Sequence, residues 1–190
     1  MDLKKRKRIR LQDYNYAQNG AYYVTMCAQN MEHIFGEIVE TALPIHDPSS
    51  PVGATLCGRP NPSSQVTATL RGHLNAPDKL AEKWILELEN KFENAEILKY
   101  VIMPNHIHMI ILLSGDHVGS PLPRIINWFK TMTTNEYIRG VKLGLYPPFT
   151  KQIWQRSFYE RVIRNEAEYL KFWNYIHQNP TRWADDEYNI

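Results

Sequence analysis

The chain has 190 residues, 43% hydrophobic and 12% aromatic, enough for one well-buried core and too few for two ordinary domains. Its net charge of +2 is near balance, yet Lys4, Lys5, Arg6, Lys7, Arg8 and Arg10 face only Asp2 in the first ten residues. No apolar run follows, which excludes a signal peptide or membrane anchor there and makes the cytoplasm the expected compartment.

This basic arm, residues 1–12, is either a solvated tail or the electrostatic footprint of a nucleic-acid contact. After the turn residues Asn19 and Gly20, Ala21 to Ala28 (AYYVTMCA) is β-branched and aromatic and predicts the first strand. Cys27 and Cys57 lack the spacing of a zinc or redox pair and read as incidental. Phe35 to Val39 either extends the sheet or forms a small edge hairpin. Thr41 to Pro77 holds six of the twelve prolines and reads as a loop insertion, long enough that it is either disordered, partly folded as a hairpin through Ala54 to Leu56 and Val66 to Leu70, or functional. Asp78 to Phe92 predicts an amphipathic helix, with Leu80, Trp84, Leu88 and Phe92 recurring every four residues.

The most informative stretch is Tyr100 to Leu113, YVIMPNHIHMIILL. Glu96 to Met103 predicts a second strand, and a turn at Pro104 and Asn105 joins it to an antiparallel partner carrying two histidines. Alternate strand residues share a face, so His106 and His108 point the same way about 6 to 7 Å apart, within reach of one metal ion. Ile110 and Leu112 continue that face, while Ile107, Met109, Ile111 and Leu113 make the other. Both faces therefore need cover, and the strand is central. An H-x-H pair alone fits hydrogen-bonded core histidines as well as a metal site.

A second helix is predicted from Leu122 to Arg139, with Ile125, Ile126, Phe129, Met132 and Thr133 as its stripe. Lys130 sits beside that stripe, either solvated or aimed at a phosphate. Ile153 to Ile163 predicts the last strand. Asn165 and Glu168 form an N-x-x-E capping box for a final helix that Pro180 ends, with distortion expected near Asn179. In this helix Tyr169, Phe172, Trp173 and Ile176 form a core-facing stripe. Tyr175 and Asn179 lie within about 40° of each other on its shoulder, where they would face the histidine pair, and His177 points away. The order of elements predicts an α+β, ferredoxin-like βαββαβ sheet with helices on one face, and the added C-terminal helix as cover for the other. A single domain over residues 1–190 is expected.

The segments YYVTMCAQN, YVIMPNHIHMIILL and IWQRSFYERVIRNEAEYLKFWNYIHQNP, in that order, resemble the single-tyrosine HUH transposases of the REP-associated kind, akin to the IS200-like group. The resemblance spans most of Ala21 to Pro180, apart from the Thr41 to Pro77 insertion. It implies that His106 and His108 hold a divalent metal, Mg2+ or Mn2+. Asn179 would be the third ligand, with Gln178 the neighbouring alternative. Asparagine followed by proline looks like the REP-associated branch, whereas IS200-like members typically carry glutamine there. The resemblance further implies Tyr175 as nucleophile on a DNA phosphodiester, leaving a 5′-phosphotyrosine and a free 3′-OH. The implied substrate is single-stranded DNA with a foldback hairpin, handled by a monomer or homodimer. The basic arm, Arg156, Arg161 and Arg164 would supply positive charge, and Tyr14, Tyr16, Tyr22 and Tyr23 stacking. Two rivals stand beside this: a water-using metallophosphoesterase built on the same histidines, and a nucleic-acid-binding sheet without chemistry.

Overall fold

The computed structural model describes residues 19–38, 77–115 and 121–189. The basic arm, Tyr14, Tyr16 and the predicted loop insertion up to residue 76 lie outside these residues.

Four strands, β1 (Gly20–Cys27), β2 (Ala95–Ile102), β3 (His106–Leu113) and β4 (Tyr159–Ile163), form one sheet in the order β2-β3-β1-β4, with every neighbouring pair antiparallel. β1 and β2 thus run parallel with β3 between them, which is the split βαβ arrangement expected from the sequence. The helices are α1 (Pro77–Lys91), α2 (Pro121–Lys142) and α3 (Glu166–Gln178). Proline opens both α1 and α2, where its missing N–H costs nothing.

Helices α1 and α2 cover one face of the sheet. Their core takes in Tyr22, Val24 and Met26 of β1 and Ile107, Met109 and Ile111 of β3. On the opposite face Tyr23, Val101, Met103 and Ile110 pack with Ile176, Phe172 and Trp173 of α3. Both faces of β3 are buried, as the apolar alternation demanded. The register sets two rows on the α3 side: Val101, His108, Thr25 and Tyr159 run across the four strands, with Lys99, Ile110, Tyr23 and Arg161 beside them.

Several sequence expectations are corrected here. The buried stripe of α1 is Leu80, Ala81, Ile85 and Leu88, while Trp84 and Phe92 are half-buried at its border. Phe35 to Ile38 is irregular and neither extends the sheet nor forms a hairpin; the Phe35 side chain inserts into the core against Trp154. Only Tyr159–Ile163 of the predicted last strand is a strand, since Trp154 makes one isolated bridge to Ala28 and its indole N–H donates to Thr133. Lys130 is neither solvated nor aimed outward: it is buried on α2 and donates to the carbonyls of Gln155 and Ser157 at 2.8 and 2.9 Å. Desolvation lowers its pKa to about 8. Asn179 keeps helical dihedrals despite preceding Pro180, because the chain continues directly into a 3-10 helix, Pro180–Asp185. Tyr22 is fully buried in the main core and Tyr23 lies beneath α3, so neither is an open stacking platform for DNA.

Candidate active site

The β2–β3 turn fixes the first part of the site. Met103 N–H donates to the His106 carbonyl at 2.8 Å, and Asn105 in the turn is fully buried. The Asn105 amide nitrogen donates to the carbonyls of Met31, at 3.3 Å, and Tyr188, at 2.7 Å. Its Oδ1 is thereby left to accept from His106 Nδ1 at 2.8 Å. With the proton on Nδ1, the lone pair of His106 sits on Nε2.

His108, one pleat along, has its Nδ1 2.7 Å from the Tyr23 hydroxyl and 2.8 Å from the Thr25 hydroxyl. The two imidazole centroids are 4.5 Å apart. Burial pushes the His106 pKa down to about 3, and it drives His108 down as well, with the neighbouring His106 adding to the effect. Both rings are therefore neutral near pH 7, the form that binds metals.

The second part comes from α3. Asn165 accepts from Glu168 N–H at 2.9 Å while Glu168 accepts from Arg164 N–H at 3.0 Å, so the capping box forms with its return bond one residue early. The helix so started places Ile176 against the sheet, leaves His177 and Gln178 exposed, and turns Asn179 inward, where it is buried. The Asn179 amide nitrogen donates to Asp186 Oδ2 at 2.7 Å, which commits its Oδ1 to the other direction.

Three buried polar atoms have no hydrogen-bond partner in this patch: His106 Nε2, His108 Nε2 and Asn179 Oδ1. A buried lone pair without a partner costs about 1 to 3 kcal/mol, a cost that a bound cation removes. Two imidazole nitrogens and one amide oxygen suit a divalent metal that retains open positions. No cluster of three His, Cys, Asp or Glu residues able to hold a metal occurs among the described residues.

Tyr175 stands over these atoms from the same chain. Its ring is 5.2 Å from that of His108, edge to face, and the residue is 38% exposed. Burial pushes its pKa up to about 12, with the negative charges of Asp186 and Glu187 adding and the Asn179 side chain opposing.

Sequence reasoning missed the C-terminal tail. Tyr188 packs its ring 4.5 Å from His106, Trp183 lies 6.0 Å from the same ring, and Asp186 orients Asn179 while accepting from Tyr188 N–H at 2.8 Å. The signal available was the pair of aromatics in RWADDEYNI, which a solvated tail would not need. Arg161 is paired with Glu168 at 3.2 Å and lies over Phe172, whereas Arg156 is exposed. Cys27 is half-buried, and burial pushes its thiol up to about 11, in keeping with an incidental role. Among the described residues no helix is long and apolar enough to cross a membrane.

The fold carries an H-x-H pair on its central strand and a tyrosine on the covering helix, and comparison with known sequences shows the family to which the chain belongs. Residues 71–179, more than half of the chain, match the model of the family "Transposase IS200 like", and the chain belongs to that family. An uncharacterized protein of Haemophilus influenzae Rd is 28% identical over 194 residues, covering 96% of this chain and 92% of its own. Among solved structures, a REP-associated tyrosine transposase bound to a REP hairpin is similar at 20% identity and a TM-score of 0.48, over 92% of this chain and 73% of that one. A candidate transposase from Deinococcus radiodurans is similar at 12% identity and a TM-score of 0.43, over 89% and 97%.

Proposed function

We propose that the chain cleaves single-stranded DNA beside a foldback hairpin and transfers the strand through a covalent tyrosine intermediate, as one domain acting in the REP-associated manner. The observation that carries this reading is the set of three buried, unpartnered donors, His106 Nε2, His108 Nε2 and Asn179 Oδ1, under the half-exposed Tyr175. His106, His108 and Asn179 would hold Mg2+ or Mn2+, which when bound supplies positive charge to the scissile phosphate.

Tyr175 Oη attacks the phosphorus, a tyrosyl–phosphate bond forms, and the bond to O3′ breaks. The 3′ oxygen leaves as a hydroxyl after taking up a proton, and the tyrosine proton passes to solvent or a nearby base. Because one phosphodiester replaces another, the 3′-OH of a second end reverses the step without ATP. Asn105, Thr25 and Tyr23 fix the two imidazoles, and Asp186 fixes the amide. The contact of the Tyr175 and His108 rings within one chain supports a reaction carried out by a single protomer. The basic arm contributes phosphate contacts along the strand.

The test is incubation with hairpin-flanked single strands and Mg2+ or Mn2+, resolved on a denaturing gel. A metal-dependent protein–DNA adduct is expected. Cleavage without adduct means hydrolysis by water, and binding with neither means a recognition module.

A further inference from the structure

Tyr175 also borders a cavity of about 380 Å³ between the sheet and α3, a size that takes a small planar ligand. Tyr23, Thr25 and Tyr159 line it from the sheet, and Phe172 and Lys171 from the helix. Tyr23 lies at the centre of the aromatic set: its ring stacks on Phe172 at 4.3 Å and meets Tyr159 edge-on at 6.4 Å and Tyr175 edge-on at 6.2 Å.

Tyr159 is the unexplained member. It is 40% exposed and belongs to neither hydrophobic core, yet it occupies the same cross-strand row as His108 with only Thr25 between them. A 40% exposed aromatic ring at a sheet edge beside a reaction site is a candidate stacking surface. The lining also contains Glu187, whose carboxylate sets a negative charge against the Lys171 ammonium. That balance disfavours a phosphate inside the cavity and suits a flat, uncharged group whose phosphate stays outside, near Lys171 and Tyr175.

We propose that this cavity takes one nucleobase of the substrate strand, that of a nucleotide flanking the scissile phosphate, stacked on Tyr159 and bordered by the edge of Phe172. The inference rests on the DNA-cleavage reading above and adds to it a specificity pocket. Anchoring the neighbouring base fixes the phosphate opposite Tyr175 Oη and makes cleavage sensitive to a position that hairpin recognition does not read. The site is continuous with the candidate active site because Tyr175 lines both.

The experiment uses the full chain, its Tyr159→Phe and Tyr159→Leu variants, and hairpin-flanked single strands with an abasic residue on either side of the cleavage point. Adduct formation with Mn2+ and strand binding by fluorescence anisotropy are both read, and thermal melts establish that each variant is folded. Tyr159→Phe keeps the ring and is expected to stay within about two-fold of wild type, whereas Tyr159→Leu loses about ten-fold or more in adduct rate or binding. The abasic residue at one flanking position is expected to cost the same factor, with no further loss when combined with Tyr159→Leu. A Leu variant within about two-fold of wild type, or losses that multiply, would overturn the pocket. If wild type forms no adduct on the unmodified strand, the cleavage reading fails instead, and the same comparison made on binding still decides whether the base is held.

Discussion

Lowering the pH probes the histidine pair without touching the sequence. His106 is fully buried and its pKa is pushed down from the ordinary 6.5 to about 3, with His108 shifted in the same direction. In the unfolded chain both rings take up protons below about pH 6.5, while the folded protein refuses them until far lower, so stability is full above that value and falls as the pH drops toward the folded pKa. Between about pH 7 and pH 5 His106 therefore removes about 2 kcal/mol, equivalent to a fall in Tm of about 4 to 8 °C for a chain of this size, and His108 acts in the same direction. The assay is thermal unfolding followed by circular dichroism, with the wild type compared with His106→Gln, which cannot titrate in this range. The variant should show a shallower pH slope. Adding Mn2+ at about 100 times its Kd near neutral pH should raise wild-type stability by about 2.7 kcal/mol, and the variant should lose most of that gain. A wild-type Tm that is flat over this pH range, or a variant with the same slope, would refute the assignment of two buried neutral imidazoles.

Asp186→Ala should weaken Mn2+ binding about ten- to hundred-fold in a calorimetric titration, because the Asn179 amide nitrogen then loses the acceptor that orients the side chain; unchanged affinity would free Asp186 of that role. Binding to single-stranded DNA should depend on salt with a slope near −3 if about four phosphates are neutralised, and deletion of residues 2–10 should make it shallower; an unchanged slope returns the arm to a solvated tail. Lys130→Met should destabilise the fold by about 1 to 3 kcal/mol in urea unfolding, since the carbonyls of Gln155 and Ser157 lose their buried donor; a neutral effect would mean that water replaces the ammonium.

What was legible in the sequence was what local periodicity controls. The period of two in HIHMIILL gave both the shared face of the histidines and the central place of β3, and the i, i+3, i+4, i+7 stripe of α3 gave the helix that covers them. The capping box and Pro180 bracketed that helix, and its phase placed Tyr175 and Asn179 on the histidine side. What escaped depends on partners distant in sequence. Lys130 looks like any helix lysine until the segment at 155–157 folds over it, and that segment has no periodicity to announce its course. Asp186 and Tyr188 lie in a short polar tail whose contacts to Asn179 and the histidines follow only from the 3-10 helix that turns the chain back. The α1 stripe was legible only in part: Leu80 and Leu88 are core residues and Trp84 and Phe92 pack against the core, whereas the fully buried Ala81 and Ile85 do not fall on the four-residue repeat.

The central claim is that the Tyr175 oxygen is the nucleophile, and removing that one atom tests it most directly. Tyr175→Phe keeps a ring that packs beside His108 and Tyr23, so the fold and DNA binding should survive. Incubated with hairpin-flanked single strands and Mn2+, the wild type should give a covalent protein–DNA band on a denaturing gel, and Tyr159→Phe and Tyr169→Phe should give it too. Tyr175→Phe should give neither adduct nor cleavage. An adduct that persists in Tyr175→Phe would contradict the account, and cleavage that persists without an adduct would replace it with hydrolysis by water at the same histidines.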